Sequence, residues 1–265
     1  KYRKFLSLLP YILDRGHDYI IAEGSEYSNN ILGLAQILTE NQIPFELILK
    51  KGHATTAVNK KLLHLILTDE QQKTFLNRSQ WNKRKEIIDN LIGDAIKHGK
   101  AKNPLYIPEG SNHLASLPGS LTLAYDINID AHEAIYIDSG TGSSFIGLYI
   151  GLCLRKYKGE IFVVSLFEDH SFYEKIIHDT TSKLPLSYAA KKFETIKLKS
   201  SKSFGSFTAE TKANITFLAS NYGILTDPLY SGKFIPVALK HAYQHAKRSP
   251  LIIHSGGALC LSGFL

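Results

Sequence analysis

The chain opens with a helical pattern that is followed by a strand, a polar loop and a second helix. Apolar residues recur every three to four positions over residues 1–15, and Gly16 follows where a helix would end. A short apolar run then predicts a strand over residues 18–22, and residues 23–30 form a polar loop. Helical spacing resumes over residues 31–38. A strand, a polar loop and a helix in this order are the repeating unit of an α/β protein.

The same alternation continues to the end of the chain. It predicts parallel sheets that are covered by helices on both faces. We expect two α/β domains that share a cleft, residues 1–118 being the smaller and residues 119–265 the larger. The remaining predicted strands are 45–49, 105–107, 134–137, 161–166, 195–198 and 251–253. The remaining predicted helices are 85–98, 119–129, one after residue 144 with Phe145, Leu148, Tyr149 and Leu152 on one side, 173–192, 208–222 and 233–247.

Composition supports a water-soluble globular protein. Hydrophobic residues make up 44% and charged residues 21% of the 265 residues, which is ordinary for globular domains. No window approaches eighteen uncharged apolar residues and no secretory leader is visible, so we expect a cytoplasmic protein that does not interact with membranes. The net charge is +7, but the basic residues are scattered among acidic ones, which does not favour nucleic-acid binding.

The two cysteines suggest neither a metal site nor a disulfide framework. Cys153 and Cys260 lie in separate apolar runs without metal-ligand spacing, so we expect buried free thiols and no metal.

The sequence contains no methionine and begins with lysine. We therefore expect the natural protein to extend ahead of Lys1 and the sequence to omit some residues.

The loop after the predicted strand at residues 134–137 is the strongest candidate for binding a phosphate. Its residues Ser139, Gly140, Thr141, Gly142 and Ser143 are small, so backbone N–H groups can approach an anion at the positive end of the following helix. An ordinary glycine-rich turn is the alternative. The loop lacks the lysine of a Walker A motif and the third glycine of a dinucleotide fingerprint, which disfavours a nucleotide cofactor.

Three other loops also follow predicted strands or precede predicted helices. Ser28-Asn29-Asn30 stands at a helix start, where a simple N-cap is the commoner role. Tyr230 precedes a helix and could exchange protons or merely pack. His254, at the end of the last predicted strand, is more often a hydrogen-bonded core imidazole than a catalytic group.

Five blocks of the sequence carry a resemblance when they are taken in order. The blocks are Lys1-Tyr2-Arg3-Lys4 with Pro10, Gly16, Asp18 and Ser28-Asn29-Asn30; residues 107–110; residues 138–142; residues 223–233; and residues 253–257. Together they resemble the pyridoxal phosphate-dependent family of 1-aminocyclopropane-1-carboxylate deaminase and D-cysteine desulfhydrase. The resemblance implies the tryptophan synthase β-like fold, which is fold type II among pyridoxal phosphate enzymes.

The same resemblance assigns roles to individual residues. Lys1 would be the Schiff-base lysine, with Arg3 and Lys4 as neighbouring cations or as part of a solvated helix face. The loop from Ser139 to Ser143 would hold the phosphate of pyridoxal 5'-phosphate. The remaining assignments are Asn29 at the ring hydroxyl, Ser28 near the substrate, Asn30 at the substrate carboxylate, Tyr230 as a proton-exchanging group close to the substrate, and Ser255 facing the pyridine nitrogen.

Two departures from the deaminase pattern bear on the substrate. Ser231 stands where the deaminases have an acidic residue, and residues 204–207 offer no counterpart to their second active-site tyrosine. A hydroxyl partner leaves the ring nitrogen less charged, which suits loss of a good leaving group. We therefore expect a lyase that eliminates sulfide from a D-cysteine-like amino acid and is a homodimer by family resemblance. The alternatives are a 1-aminocyclopropane-1-carboxylate deaminase, a serine or threonine dehydratase-like enzyme, and a degenerate protein that binds cofactor or amino acid without turnover.

Overall fold

The chain is divided into two compact units, Lys1–Gly119 (unit 1) and Ser120–Leu265 (unit 2). The computed structural model describes residues 2–51, 58–67, 72–185, 187–198 and 207–263. Each unit contains its own four-stranded, wholly parallel sheet. Among the described residues, no helix has the length and hydropathy needed to cross a membrane.

In unit 1 the strand order is β3-β2-β1-β4. The register places Ile20 of β1 beside Phe45 of β2 and Leu105 of β4. The elements in chain order are α1 (Tyr2–Asp14), β1 (Tyr19–Ser25), α2 (Asn29–Glu40), β2 (Phe45–Lys50), α3 (Val58–Ile66), β3 (Lys73–Leu76), α4 (Arg78–Asn82), α5 (Arg84–Lys97) and β4 (Pro104–Ile107).

Both faces of this sheet are buried, which explains why its central strands are nearly continuous apolar runs. Ile20, Ala22 and Leu47 face one way and pack with α1, α2 and α3. Ile21 and Ile48 face the other way and pack with α4 and α5.

In unit 2 the strand order is β7-β6-β5-β8. Ile137 of β5 lies beside Val163 of β6 and Ile253 of β8. Tyr136 and Phe162 stack on the face that is covered by α9 and α10. The elements are α6 (Leu117–Tyr125), which crosses the unit boundary, β5 (Ala134–Ser139), α7 (Ser143–Leu154), β6 (Glu160–Ser165), α8 (His170–Thr181), β7 (Glu194–Lys197), α9 (Ala209–Tyr222), α10 (Ser231–Gln244) and β8 (Pro250–Ile253).

The observed elements differ most from the predicted ones in two places, and in addition the helix predicted over residues 119–129 ends at Tyr125. The helix predicted over residues 173–192 ends at Thr181, because Pro185 cannot continue a helix and disfavours helical backbone in the residue before it. The elements α3, β3 and α4 between β2 and α5 were not predicted, since their short apolar stretches give little periodicity.

Candidate active site

The strand order determines where each sheet can bind a ligand. In an open parallel sheet, ligands bind beyond the carboxyl ends of the two neighbouring strands between which the order of the strands reverses. In unit 1 those strands are β1 and β4, and in unit 2 they are β5 and β8. The predicted residues Ser28 to Asn30 follow β1, the loop from Ser139 follows β5, and Ser255 follows β8.

In unit 1, Ser28 caps the N-terminus of α2. Its hydroxyl oxygen accepts hydrogen bonds from the backbone N–H groups of Asn30 (3.1 Å) and Ile31 (3.3 Å). The N-cap interpretation is therefore confirmed. Asn29 is the first residue of α2, and its Oδ1 accepts a hydrogen bond of 2.8 Å from the amide of Asn59. Ser28 and Asn29 thus stand together at the positive end of a twelve-residue helix.

Asn30 connects this helix to the loop after β4. Its side chain is buried and donates to Ser111 Oγ at 2.8 Å, while its Oδ1 has no hydrogen-bond partner among the described residues. Its amide is directed into the protein, so its role at a substrate carboxylate stays a prediction.

Lys4 reaches the same loop from α1. It is buried, and its Nζ donates to the carbonyl oxygen of Gly110 at 2.8 Å. The interpretation of Lys4 as part of a solvated helix face is therefore wrong. A buried ammonium needs hydrogen-bond acceptors, and the loop after β4 supplies one.

Charged side chains meet near the end of β1. The carboxylate of Glu23 accepts hydrogen bonds from Arg84 Nε (2.7 Å) and from the backbone N–H of Glu109 (3.3 Å). Burial, followed by the nearby charge of Glu23, raises the pKa of Glu109 above its usual range, and Arg84 and Lys50 oppose the shift. This part of unit 1 therefore holds two carboxyl groups close together.

In unit 2, the predicted phosphate loop leads into the N-terminus of α7. Gly142 is the N-cap residue with φ 84°, a conformation that favours glycine, and as a glycine it has no side chain that could cap the helix. A Cβ atom at Gly142 would lie 2.3 Å from Ile176 Cδ1. The Oγ atom of Ser139 is buried and has no hydrogen-bond partner among the described residues.

These features fit a phosphate group. The first N–H groups of an α-helix have no intrahelical acceptor, and the helix dipole adds positive potential there. Ser139 contributes a buried hydroxyl that requires a partner. Gly140, Thr141 and Ser143 complete a loop whose small side chains allow an anion to reach the backbone.

Tyr230 lies beside this loop. Its ring atom Cε1 is 3.5 Å from the position that a Cβ would occupy at Gly140. Tyr230 is held by the fully buried Asp227, whose carboxylate accepts the backbone N–H of Tyr230 (2.7 Å) and both the backbone N–H (2.9 Å) and the hydroxyl (2.6 Å) of Ser231. The hydroxyl of Ser231 is thus committed to Asp227.

The strand ends bring Ser255 to Asp138. Ser255 Oγ donates to Asp138 Oδ1 at 2.9 Å, and the Asp138 side chain is 5% exposed. His254 is exposed, so the core position expected for it is wrong, although its ring does make hydrogen bonds with Leu225 O (2.8 Å) and Gly256 N (3.1 Å).

Asp138 and Asp227 are the two site residues that the sequence analysis missed. An acidic residue directly after four apolar strand residues was the available signal for Asp138. For Asp227 the available signal was an aspartate shortly before a predicted helix, because its carboxylate accepts the backbone N–H groups of Leu229, Tyr230 and Ser231. Two expectations, on Lys1 and on residues 204–206, lie outside the described residues.

Two curated proteins are similar to this chain over nearly its whole length. No family model matches. A bifunctional D-cysteine desulfhydrase/1-aminocyclopropane-1-carboxylate deaminase of Arabidopsis thaliana, described as mitochondrial, is 21% identical over 276 residues, covering 98% of this chain and 69% of that protein. A putative 1-aminocyclopropane-1-carboxylate deaminase of Thermotoga maritima is 24% identical over 265 residues, covering 97% of this chain and 83% of that protein.

The solved structures give the same fold. The crystal structure of an ACC deaminase homologue superposes with a TM-score of 0.82 at 18% identity, covering 98% of this chain and 79% of that chain. The chain therefore has the tryptophan synthase β-like fold, fold type II among pyridoxal phosphate enzymes, and this prediction is confirmed. The five sequence blocks in order and the two relatives along its length make the chain similar to the family of 1-aminocyclopropane-1-carboxylate deaminase and D-cysteine desulfhydrase.

Proposed function

We propose that this protein is a pyridoxal phosphate-dependent lyase that acts on a small amino acid. One observation carries the proposal: α7 begins at the left-handed Gly142, which offers no side-chain cap, and the Ser139 hydroxyl in the same loop is buried without a partner among the described residues. A phosphate ester satisfies all of these groups at once. Ser139, Gly140, Thr141, Gly142 and Ser143 would hold it.

The remaining residues have distinct tasks in this proposal. Lys1 would bind the cofactor covalently, and Asn29 would bind its ring hydroxyl. When bound, pyridoxal phosphate supplies an electron sink for negative charge at the substrate Cα. The Tyr230 hydroxyl, next to the phosphate loop, would move a proton on the substrate, and its backbone position is set by Asp227.

The substrate carboxylate would be received in unit 1. The N-terminus of α2 attracts an anion, and Ser28 presents its hydroxyl there because its oxygen caps that helix. Asn30 supports this end of α2 through Ser111. Water and a cysteine-like amino acid would give a keto acid, ammonia and hydrogen sulfide.

One observation favours sulfide elimination over cyclopropane ring opening: one curated relative is named as a D-cysteine desulfhydrase as well as a deaminase. Ser231, at the position that is acidic in deaminases, donates its hydroxyl to Asp227. Ring opening is the second candidate, since both curated relatives carry the name of the deaminase.

The experiment combines a cofactor assay with a substrate panel. The protein is incubated with pyridoxal phosphate, reduced with borohydride and digested, and we expect the pyridoxyl label on Lys1. Lys1→Ala should remove the label and the visible absorption band, whereas the exposed Lys175→Ala should keep both. Failure of the unmodified protein to take up the cofactor would overturn the proposal.

The substrate panel then separates the candidate reactions. Sulfide, ammonia and keto acid are measured from D- and L-cysteine, serine, threonine and 1-aminocyclopropane-1-carboxylate. We expect the highest kcat/KM with D-cysteine. A higher value with the cyclopropane substrate would establish the second candidate, and cofactor uptake without any turnover would indicate a binding protein.

Location and assembly form part of the same proposal. We infer a homodimer from the family resemblance, and we propose a cytoplasmic location as against the mitochondrial one described for the Arabidopsis thaliana relative. Cell fractionation tests the location, and light scattering on the purified protein tests the assembly.

A further inference from the structure

Asp138 is an unusual residue for the end of a buried parallel strand. The four residues before it, Ala134 to Ile137, are apolar and buried, and Asp138 itself is 5% exposed. Removing a carboxylate from water is costly unless hydrogen bonds or opposite charge compensate it. Among the described residues, its hydrogen-bond partner is the Ser255 hydroxyl at 2.9 Å.

The strand register explains why these two residues meet. Ile137 of β5 lies directly beside Ile253 of β8, so Asp138 and Ser255 stand one and two residues beyond the last paired positions. This is the ligand-binding end of the sheet, and Asp138 directly precedes Ser139, the first residue of the phosphate loop. The pair is therefore built into the candidate site itself.

The direction of the hydrogen bond determines what Ser255 can offer a ligand. A serine hydroxyl has one proton and two lone pairs, and an ionised carboxylate can only accept. Because the proton of Ser255 is donated to Asp138, the oxygen presents a lone pair to any further partner. A pyridine nitrogen without a proton is also only an acceptor, so it cannot bond to this oxygen, whereas a protonated pyridine N–H can donate to it.

The neighbouring phenol of Tyr173 does not cancel this preference. The nearby phenol of Tyr173 interacts with Asp138, and burial raises the pKa of Tyr173, so that side chain remains neutral. Tyr173 donates to Ser165 Oγ (3.0 Å) and to Ser139 O (3.5 Å) rather than to Asp138. The Asp138 carboxylate thus influences a ligand through its hydrogen bond with the Ser255 hydroxyl.

From this arrangement, and on the basis of the proposed function, we propose that Asp138, acting through Ser255 Oγ, keeps the ring nitrogen of bound pyridoxal phosphate protonated. Asp138 is a positioning residue here, and Ser255 is the group that faces the ring. The expectation from sequence was that a hydroxyl partner leaves the ring nitrogen less charged; the Asp138 contact reverses it. A protonated ring is a stronger electron sink, so the enzyme would also act on substrates with poorer leaving groups than thiolate.

The test uses pyridoxal phosphate labelled with ¹⁵N at the ring nitrogen, because its chemical shift reports the proton directly. The cofactor is bound to the unmodified protein and to four variants: Asp138→Asn, Ser255→Ala, Ser255→Thr and the exposed control Asp130→Asn. We expect the protonated resonance in the unmodified protein, in Ser255→Thr and in Asp130→Asn. Asp138→Asn and Ser255→Ala should move it to the unprotonated position.

The outcomes separate this inference from the proposed function. If the unmodified protein takes up no cofactor, the proposed function fails. If the cofactor binds but its ring nitrogen is unprotonated, or is protonated in all variants, the inference about Asp138 is overturned while the proposed function stands. Should Asp138→Asn not fold, as judged by circular dichroism, Ser255→Ala against Ser255→Thr decides alone.

A kinetic ratio provides the second measurement. Serine has a poorer leaving group than cysteine and depends more on the electron sink. We expect Asp138→Asn to lower kcat for serine by a larger factor than kcat for cysteine, and Asp130→Asn to leave the ratio unchanged. Equal losses for the two substrates would indicate a purely structural role for Asp138.

Discussion

The side-chain amide of Asn30 donates to Ser111 Oγ at 2.8 Å, which joins the start of α2 to the loop after β4. Both side chains are buried, and 81 residues separate them in sequence. This hydrogen bond holds together the two sides of the ligand-binding end of unit 1.

Asn30→Ala should destabilise the protein because it leaves the Ser111 hydroxyl buried without this donor. We expect a loss of about 1–3 kcal/mol in the free energy of unfolding, measured by urea denaturation. Asn41→Ala is the control, because the Asn41 amide also donates one 2.8 Å bond but is exposed. Similar losses of unfolding free energy in both variants would show that the burial of Ser111 does not add to the cost of removing its donor.

Gly142→Ala should disrupt the phosphate loop. Alanine at φ 84° is strained by about 1–3 kcal/mol, and its Cβ would also meet Ile176 Cδ1 at 2.3 Å. Gly99→Ala is the control, since Gly99 has φ 70° with no atom within 4 Å of its Cβ position. We expect both variants to lose stability but only Gly142→Ala to lose cofactor affinity, by about tenfold or more in fluorescence titration. Unchanged cofactor affinity in Gly142→Ala would contradict the proposed binding of the phosphate by residues 139–143.

Tyr230→Phe should separate binding from proton transfer. The ring beside Gly140 is retained and only the hydroxyl is lost, so we expect unchanged cofactor affinity and a fall in kcat of about 10²–10⁴-fold. The exposed Tyr243→Phe should change neither quantity. A variant of Tyr230 with full kcat would exclude its hydroxyl from the reaction.

Gly119→Ala should displace the first turn of α1. A Cβ there would lie only 1.8 Å from the carbonyl oxygen of Arg3, a backbone atom that cannot rotate away. We expect a loss of about 1–3 kcal/mol or more from overpacking. Gly93→Ala, within α5 and with nothing near its Cβ, should instead stabilise the protein by about 0.5–1 kcal/mol. Chemical denaturation of both variants tests whether their unfolding free energies change in opposite directions.

Glu109→Gln should change how stability depends on pH. The raised pKa of Glu109 means that the folded state binds its proton more tightly than the unfolded chain, so this residue's contribution falls as pH rises from 4.5 through the folded pKa. We expect Glu109→Gln to be more stable than the unmodified protein near neutral pH and the difference to shrink towards pH 4.5. Unfolding experiments across this range, with exposed Glu86→Gln as control, test the sign.

The sequence predicted what depends on local patterns. Apolar runs such as residues 134–137 identified the strands, and serine before an apolar helix identified the N-cap at Ser28. The left-handed Gly142 agrees with a glycine-rich loop before α7. These features are set by residues within one turn or one strand, where hydrophobic period and capping chemistry suffice.

The remaining features depend on residues that are distant in sequence. Lys4 resembles a solvated residue until the loop after β4 supplies the Gly110 carbonyl as its acceptor. The hydrogen bond between Asp138 and Ser255 exists because β8 pairs with β5, 117 residues earlier. Strand order and register fix both contacts, and neither is encoded in a short motif.

The self-contained sheets have a consequence for biosynthesis. In the part of the chain that the structure describes, all four strands of the first sheet lie within Lys1–Gly119, so the pairing of these strands does not require a segment of unit 2. Domains generally fold as units during synthesis. Parallel pairing between distant segments is slow, however, and β4 completes the sheet about eighty residues after its partner β1. Until β4 has been synthesised, the edge of β1 to which it binds stays unpaired.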